Sequence, residues 1–361
     1  MMNGNDKKIH LNMDDAGYKQ GQNRVIDMDS PEYARGEYDV GDILVDRNLG
    51  LEIVVTDEKS GRPEPEPLPI VGAERMLQVL QRVKTPLDFV LPGIRARSVA
   101  SLIGAGGTGK SMLALQLALY VATGIDTIGI ETIHRRMRST PTHGAVAYIS
   151  AEDDADILCN RLVDIISFFN LDDKIDESDF VEKMRLHPID RIMDITNPII
   201  QDRIIKSVSD TRLCIIDTLR TFNALDENNA KEMTDLINAM KKIIAETGTT
   251  ILFLHHTNKS SALSGNADTQ QAIRGSSVLT DNIRCQINLS VMDKTEAKEY
   301  GVSEEFRKEY MKISYSKVNY VKPIEDLWCK RGPGGVLQPT NLVKLPPNAN
   351  NGKKDRDSAT V

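Results

Sequence analysis

From residue 73 onward, short apolar runs alternate with stretches of helical periodicity. The runs at 99–103, 144–150, 213–216 and 249–254 have strand length and read as strands buried on both faces. The stretches at 112–121, 154–169 and 229–246 carry helical patterns between them. This alternation predicts an α/β fold, a mostly parallel sheet flanked by helices. From Asn282 the strands lengthen and the turns close up, which predicts an antiparallel C-terminal extension of the sheet. Within 282–289, Ile283, Cys285, Ile287 and Leu289 share one face, and Asn282, Arg284, Gln286 and Asn288 share the other. The polar face is expected to be a solvated edge or a surface that meets another subunit.

Residues 1–72 lack this texture. The segments 43–45 and 51–55 flank Asp46-Arg47-Asn48-Leu49-Gly50 as one hairpin, and 62–69 is a proline-spaced linker. The expectation is an acidic, mostly disordered extension at 1–72, a folded domain at 73–340 and a disordered tail at 341–361. Met76, Leu77, Val79, Leu80 and Val83 open the folded domain with helical spacing. Net charge is −7, and residues 1–75 hold 16 acidic and 9 basic side chains, so the remainder is balanced at 36 of each. No domain-wide basic patch exists, although one loop could still meet DNA. No run of about 18 apolar residues predicts a membrane span. Cys159, Cys214, Cys285 and Cys329 are scattered, without zinc or disulfide spacing, which fits a reducing cytoplasm.

The chemistry concentrates at Gly104-Ala105-Gly106-Gly107-Thr108-Gly109-Lys110-Ser111, a G-x-x-x-x-G-K-[ST] loop between an apolar strand and a helix opened by Met112. Glycines let backbone N–H groups turn inward around phosphates, and the helix N-terminus adds partial positive charge. Lys110 is expected on the β/γ-phosphates of ATP, and Ser111 on Mg²⁺. Asp217 ends an apolar strand, so it is expected at the ligand crevice as a carboxylate for Mg²⁺, held directly or through water. Glu152 follows the strand at 144–150. It could orient water, or it could be a helix N-terminal carboxylate favoured by the dipole. His255 and His256 end another strand. One could sense the γ-phosphate, and one is expected to be packing. The segment 257–274 is long and polar, so Lys259 and Arg274 are candidates for phosphates of a bound strand.

Taken together, and in order, these motifs resemble a known family. The matching segments include Pro86-Leu87-Asp88-Phe89-Val90-Leu91-Pro92, Ala151-Glu152-Asp153 and Ile216-Asp217-Thr218-Leu219-Arg220. They continue with Phe253-Leu254-His255-His256, Arg274-Gly275-Ser276-Ser277, Asp281-Asn282-Ile283-Arg284 and Ser316-Lys317-Val318-Asn319-Tyr320. The family is the RepA-type hexameric replicative helicases of broad-host-range plasmids, within the RecA-like P-loop ATPases. The resemblance implies Glu152 as the water-polarising carboxylate, His256 as γ-phosphate sensor and Arg284 as an arginine finger donated in trans. It also implies Arg161 and Tyr320 as a pair sandwiching adenine, and Lys317 as a second cation near the neighbouring site. Single-stranded DNA, a homo-hexamer and a primase or initiator protein are the partners it implies. The alternative is a RecA-like regulatory or recombination ATPase that binds nucleic acid without processive unwinding.

Overall fold

The structure is a computed structural model that describes residues 8–12, 25–27, 29–31, 42–46, 51–56, 70–137, 139, 141–189, 193–222, 229–256 and 277–346. The chain forms two compact units, residues 1–84 and 85–361. In the first, β1 (Lys8–Asn12), β2 (Val25–Asp27), β3 (Ile43–Asp46) and β4 (Leu51–Thr56) build a sheet of order β1-β4-β3-β2. The expected hairpin is there, with β3 antiparallel to β4. The flanking parallel pairs, β1 with β4 and β2 with β3, depart from the expectation of little regular structure. Those strands are only five and three residues long, too short for periodicity to register. The helix Ala73–Leu80, expected to open the folded domain, groups with the first unit and buries none of its residues.

The second unit begins with a small hairpin, β5 (Phe89–Leu91) and β6 (Ile94–Arg95). Its main sheet contains β7 (Val99–Gly104), β8 (Val146–Ser150), β9 (Met184–Pro188), β10 (Leu213–Asp217) and β11 (Thr250–His256). It is completed by β12 (Cys285–Val291), β13 (Tyr310–Val318), β14 (Leu327–Arg331) and β15 (Leu337–Thr340). The order is β15-β14-β13-β12-β7-β11-β10-β8-β9. Pairing is parallel from β12 through β9 and antiparallel from β12 through β15, as the sequence pattern predicts. Parallel strands share one C-terminal edge, and the functional residues collect there.

The helix Lys110–Thr123 is apolar nearly all round because its face and flanks are buried from Met112 to Ala122. It lies on one side of the sheet with the helix Ala155–Phe169. The helices Pro198–Val208 and Ala230–Thr247 cover the other side. Asparagine caps start both: Asn197 accepts from Ile199 N–H ahead of Pro198, and Asn229 accepts from Lys231 N–H.

The reading of 282–289 as one alternating strand with an open polar face is corrected. Ser277–Asn282 is helical, and the strand starts at Cys285. That strand lies inside the sheet between β7 and β13, so Gln286 and Asn288 are buried. Gln286 Nε2 donates to Asn288 Oδ1 (3.2 Å) and Ser316 Oγ (2.8 Å). These bonds meet part of the two amides' demand in the sheet interior, and the Asn288 Nδ2 is buried without a hydrogen-bond partner.

Candidate active site

The P-loop leaves β7 at Gly104. A Cβ there would stand 2.5 Å from the Leu289 carbonyl oxygen, so only glycine permits this approach of β7 to β12. Gly109, at φ 96°, turns the chain into the helix in the left-handed region that L side chains avoid. Thr108 Oγ1 donates to the Ala105 carbonyl at 2.8 Å and stiffens the loop. Lys110 is buried at its base. Its Nζ donates to the carbonyls of Gly104 (2.9 Å) and Ala105 (3.0 Å) and lies 3.3 Å from His256 Nδ1. Burial lowers the Lys110 pKa, opposed by Asp217 and Glu152.

Asp217 ends β10 in the same crevice. Its Oδ2 accepts from the Tyr148 hydroxyl at 2.6 Å. Burial raises its pKa, and hydrogen bonds from Tyr148 and Ser111 pull it down. Its Oδ1 is buried without a hydrogen-bond partner. An orphaned carboxylate oxygen beside a P-loop serine fits Mg²⁺, held directly or through water, because a hard cation satisfies the lone pairs that no protein donor reaches.

Glu152 lies just past β8. Its carboxylate accepts from Thr218 Oγ1 at 2.9 Å and lies 3.8 Å from His256 Nε2. The nearby His256 ring is the largest cause of its lowered pKa, helped by the hydrogen bond from Thr218 and by the Lys110 charge. The following helix is capped by Asp154, whose side chain accepts from Ile157 N–H at 2.9 Å. The cap is therefore filled by another residue, and Glu152 faces the P-loop side. An ionised carboxylate there can orient a water for attack. Of the two histidines, His255 is buried and His256 reaches Lys110 and Glu152. Arg161 is paired with Asp153.

Other candidates sit at the opposite end of the strands. Arg284 precedes β12, is exposed, and its N–H donates to the Val99 carbonyl at 3.3 Å. Register pairs Cys285 with Ala100 and Leu289 with Gly104, so about 16 Å of strand separates Arg284 from its own P-loop. Lys317 lies beside it and donates to the Thr280 carbonyl at 2.6 Å. Burial lowers the Lys317 pKa, and Arg284 pushes it the same way. Tyr320 carries the Arg95 guanidinium over its ring at 5.5 Å and lines a cleft of about 1030 Å³ with Arg136, Lys322 and Trp328. Within one chain, Arg161 and Tyr320 stand at opposite ends of the sheet. Arg161 stands beside the C-terminal ends of the parallel strands, and Tyr320 follows β13 at their N-terminal ends. Lys259 and Arg274 lie outside the described residues.

A family model described as an AAA domain matches residues 65–262, more than half of the chain. The chain belongs to the AAA domain family. Its parallel sheet order and the loop between β7 and the following helix are those of a P-loop ATPase domain. Among solved structures it is similar to one described as an ATPase domain, at 13% identity and a TM-score of 0.49, covering 76% of this chain and 98% of that one. It is also similar to a KaiC-like protein from the hyperthermophilic archaeon Pyrococcus horikoshii OT3, at 14% identity and a TM-score of 0.44, covering 72% and 100%. No described helix is long and apolar enough to cross a membrane.

Three residues of this AAA domain's crevice escaped sequence reasoning. Tyr148 sits mid-strand like any apolar residue, although a tyrosine in a buried strand signals a partner for its hydroxyl. Thr218 directly follows Asp217 and holds Glu152. Arg331, from β14, donates through Nη2 to the P-loop carbonyls of Gly107 (3.0 Å) and Thr108 (2.8 Å). More than 200 residues separate it from the loop, so no local pattern could have found it.

Proposed function

We propose that this ATPase is a ring-forming helicase of the RepA type, which couples ATP hydrolysis between subunits to movement along single-stranded DNA. The observation that carries the reading is the cation pair of exposed Arg284 and half-buried Lys317, lying a strand length away from the chain's own P-loop. An arginine so placed can complete a triphosphate site only on another copy. In that arrangement Glu152 orients the attacking water, His256 links Glu152 to Lys110, and Arg284 of the next subunit stabilises charge as it develops. Mg²⁺, when bound by Ser111 and Asp217, would neutralise phosphate charge. An adenine stacked between Arg161 and Tyr320 would likewise need two copies, one giving each residue. A homo-hexamer with a primase or initiator partner, working in plasmid or mobile-element replication in the cytoplasm, is the setting that the resemblance implies. The segment 257–274, with Lys259 and Arg274, is assigned to DNA by its place after His256.

Mixing complementary variants tests the shared site. Arg284→Ala and Lys110→Ala should each be inactive alone. Mixed assemblies should regain part of the turnover, because some sites then join an intact P-loop to an intact Arg284. No recovery at any ratio would remove the trans assignment. Displacement of a labelled strand from forked DNA should accompany turnover; turnover without displacement points to a regulatory or recombination ATPase.

A further inference from the structure

The tip between β14 and β15 is built to grip two things at once. Arg331 ends β14 and binds the outer side of the P-loop through the carbonyls of Gly107 and Thr108. Both bonds come from Nη2, which also lies 3.7 Å from Met311 Sδ, and the Nε is buried without a hydrogen-bond partner. The next residues press against the helix Ala155–Phe169. A Cβ at Gly332 would meet the Phe168 ring at 2.7 Å, and one at Gly334 would meet the Asp164 carboxylate at 2.4 Å. Gly334 also has a φ of 64°, where a side chain is strained. The backbone of the tip is thus seated on the helix that follows Glu152, and its arginine on the P-loop.

We propose that Arg331 is a positioning residue for triphosphate binding, acting in cis through the P-loop backbone. The argument is the geometry of the peptide unit. In a trans peptide the carbonyl of one residue and the N–H of the next point in opposite directions. Drawing the Thr108 carbonyl outward aims the Gly109 N–H at the loop's concavity, while holding the Gly107 carbonyl fixes the neighbouring peptide, whose Thr108 N–H closes the loop's own turn onto the Ala105 carbonyl at 3.4 Å. The Gly109 N–H is a donor for phosphate oxygens, as P-loop backbones use it. Arg331 itself touches no phosphate. It lowers the cost of presenting that donor, because the loop is already oriented when nucleotide arrives. The donor belongs to the diphosphate part of the cradle, so ADP and ATP gain alike. The inference rests on the ATPase reading but not on the ring.

The test is equilibrium titration of the full chain with fluorescent ADP and ATP analogues, for wild type, Arg331→Ala, Arg331→Lys and Lys110→Ala. Arg331→Ala should weaken ADP and ATP by the same factor, about tenfold, from loss of two charge-assisted hydrogen bonds. Arg331→Lys, whose ammonium keeps the charge and can donate to both carbonyls but from a shorter, unforked stem, should fall between it and wild type. Turnover at saturating nucleotide should stay within threefold, so the change appears in KM rather than kcat. Binding of both nucleotides at wild-type strength by Arg331→Ala, with Lys110→Ala impaired, overturns the positioning role and leaves the ATPase reading standing. A loss confined to ATP overturns it too, since that assigns Arg331 to the γ-phosphate. Failure of wild type to bind either nucleotide overturns both. Melting temperatures of the variants separate a loosened loop from a misfolded chain, and a collapse of fold in Arg331→Lys as well as Arg331→Ala counts against the proposal.

Discussion

Tyr148→Phe isolates the support beneath the proposed metal carboxylate. The phenylalanine ring fills the same buried volume and deletes one hydroxyl. That hydroxyl donates to Asp217 Oδ2 at 2.6 Å, and the Asp217 Oδ1 has no donor. A hydrogen bond to a charged, buried acceptor contributes about 1.5–3 kcal/mol, equivalent to roughly 10–150-fold in an equilibrium constant. Loss of an outer-shell partner typically weakens metal affinity by about 10–100-fold, in agreement with that range. The half-saturating Mg²⁺ concentration for turnover should therefore rise at least about tenfold, while nucleotide binding in chelator stays near wild type. A pH series adds a second readout. Asp217 already has a raised pKa from burial, so its charge opposes folding at neutral pH, a penalty that fades as pH falls through the raised value. Metal needs the ionised form, so Mg²⁺-supported turnover is lost as pH falls through that same value. Removing the Tyr148 donor raises the pKa further and moves this loss to higher pH. Mg²⁺ half-saturation within twofold of wild type, with an unmoved acid limb, would refute the reasoning.

Two further changes test neighbouring parts of the crevice. Glu152→Gln should lower turnover by about 10²–10⁴ while nucleotide affinity holds, because the amide keeps its size but cannot take a proton; single-turnover assays with near-normal rates would end the role given to Glu152. Gly104→Ala should destabilise by about 1–3 kcal/mol through a clash with the Leu289 carbonyl, lowering the melting temperature by about 2–4 °C per kcal/mol; an unshifted transition would mean that β7 and β12 do not approach so closely.

The sequence carried the central sheet because its signal is local. Runs such as 213–216 need only their own apolarity to be read as buried strands, and the P-loop announces itself by spacing. What failed to show depends on neighbours that sequence does not name. Gln286 and Asn288 look like a wet face until β13 is placed beside them with Ser316 within 2.8 Å of Gln286 Nε2. That Arg161 and Tyr320 lie apart within one chain shows only once the antiparallel return of β13 carries Tyr320 to the other end of the strands. The contact of Glu152 with Thr218 and the filling of the helix cap by Asp154 likewise show only in the folded chain. Arg331 acquires meaning only because β14 returns toward the P-loop.

Under the proposed trans role, the placement of Arg284 a strand length from Lys110 would give each protomer a donor end and an acceptor end that are unlike. Contacts of this kind are heterologous, joining head to tail, and they close only if the rotation between neighbours completes a circle. With the finger supplied in this way, an open pair holds one finished site out of two, and every open chain wastes the terminal one. Activity per protomer should then climb with assembly and reach its ceiling at closure, so dilution would silence the molecule before it unfolds.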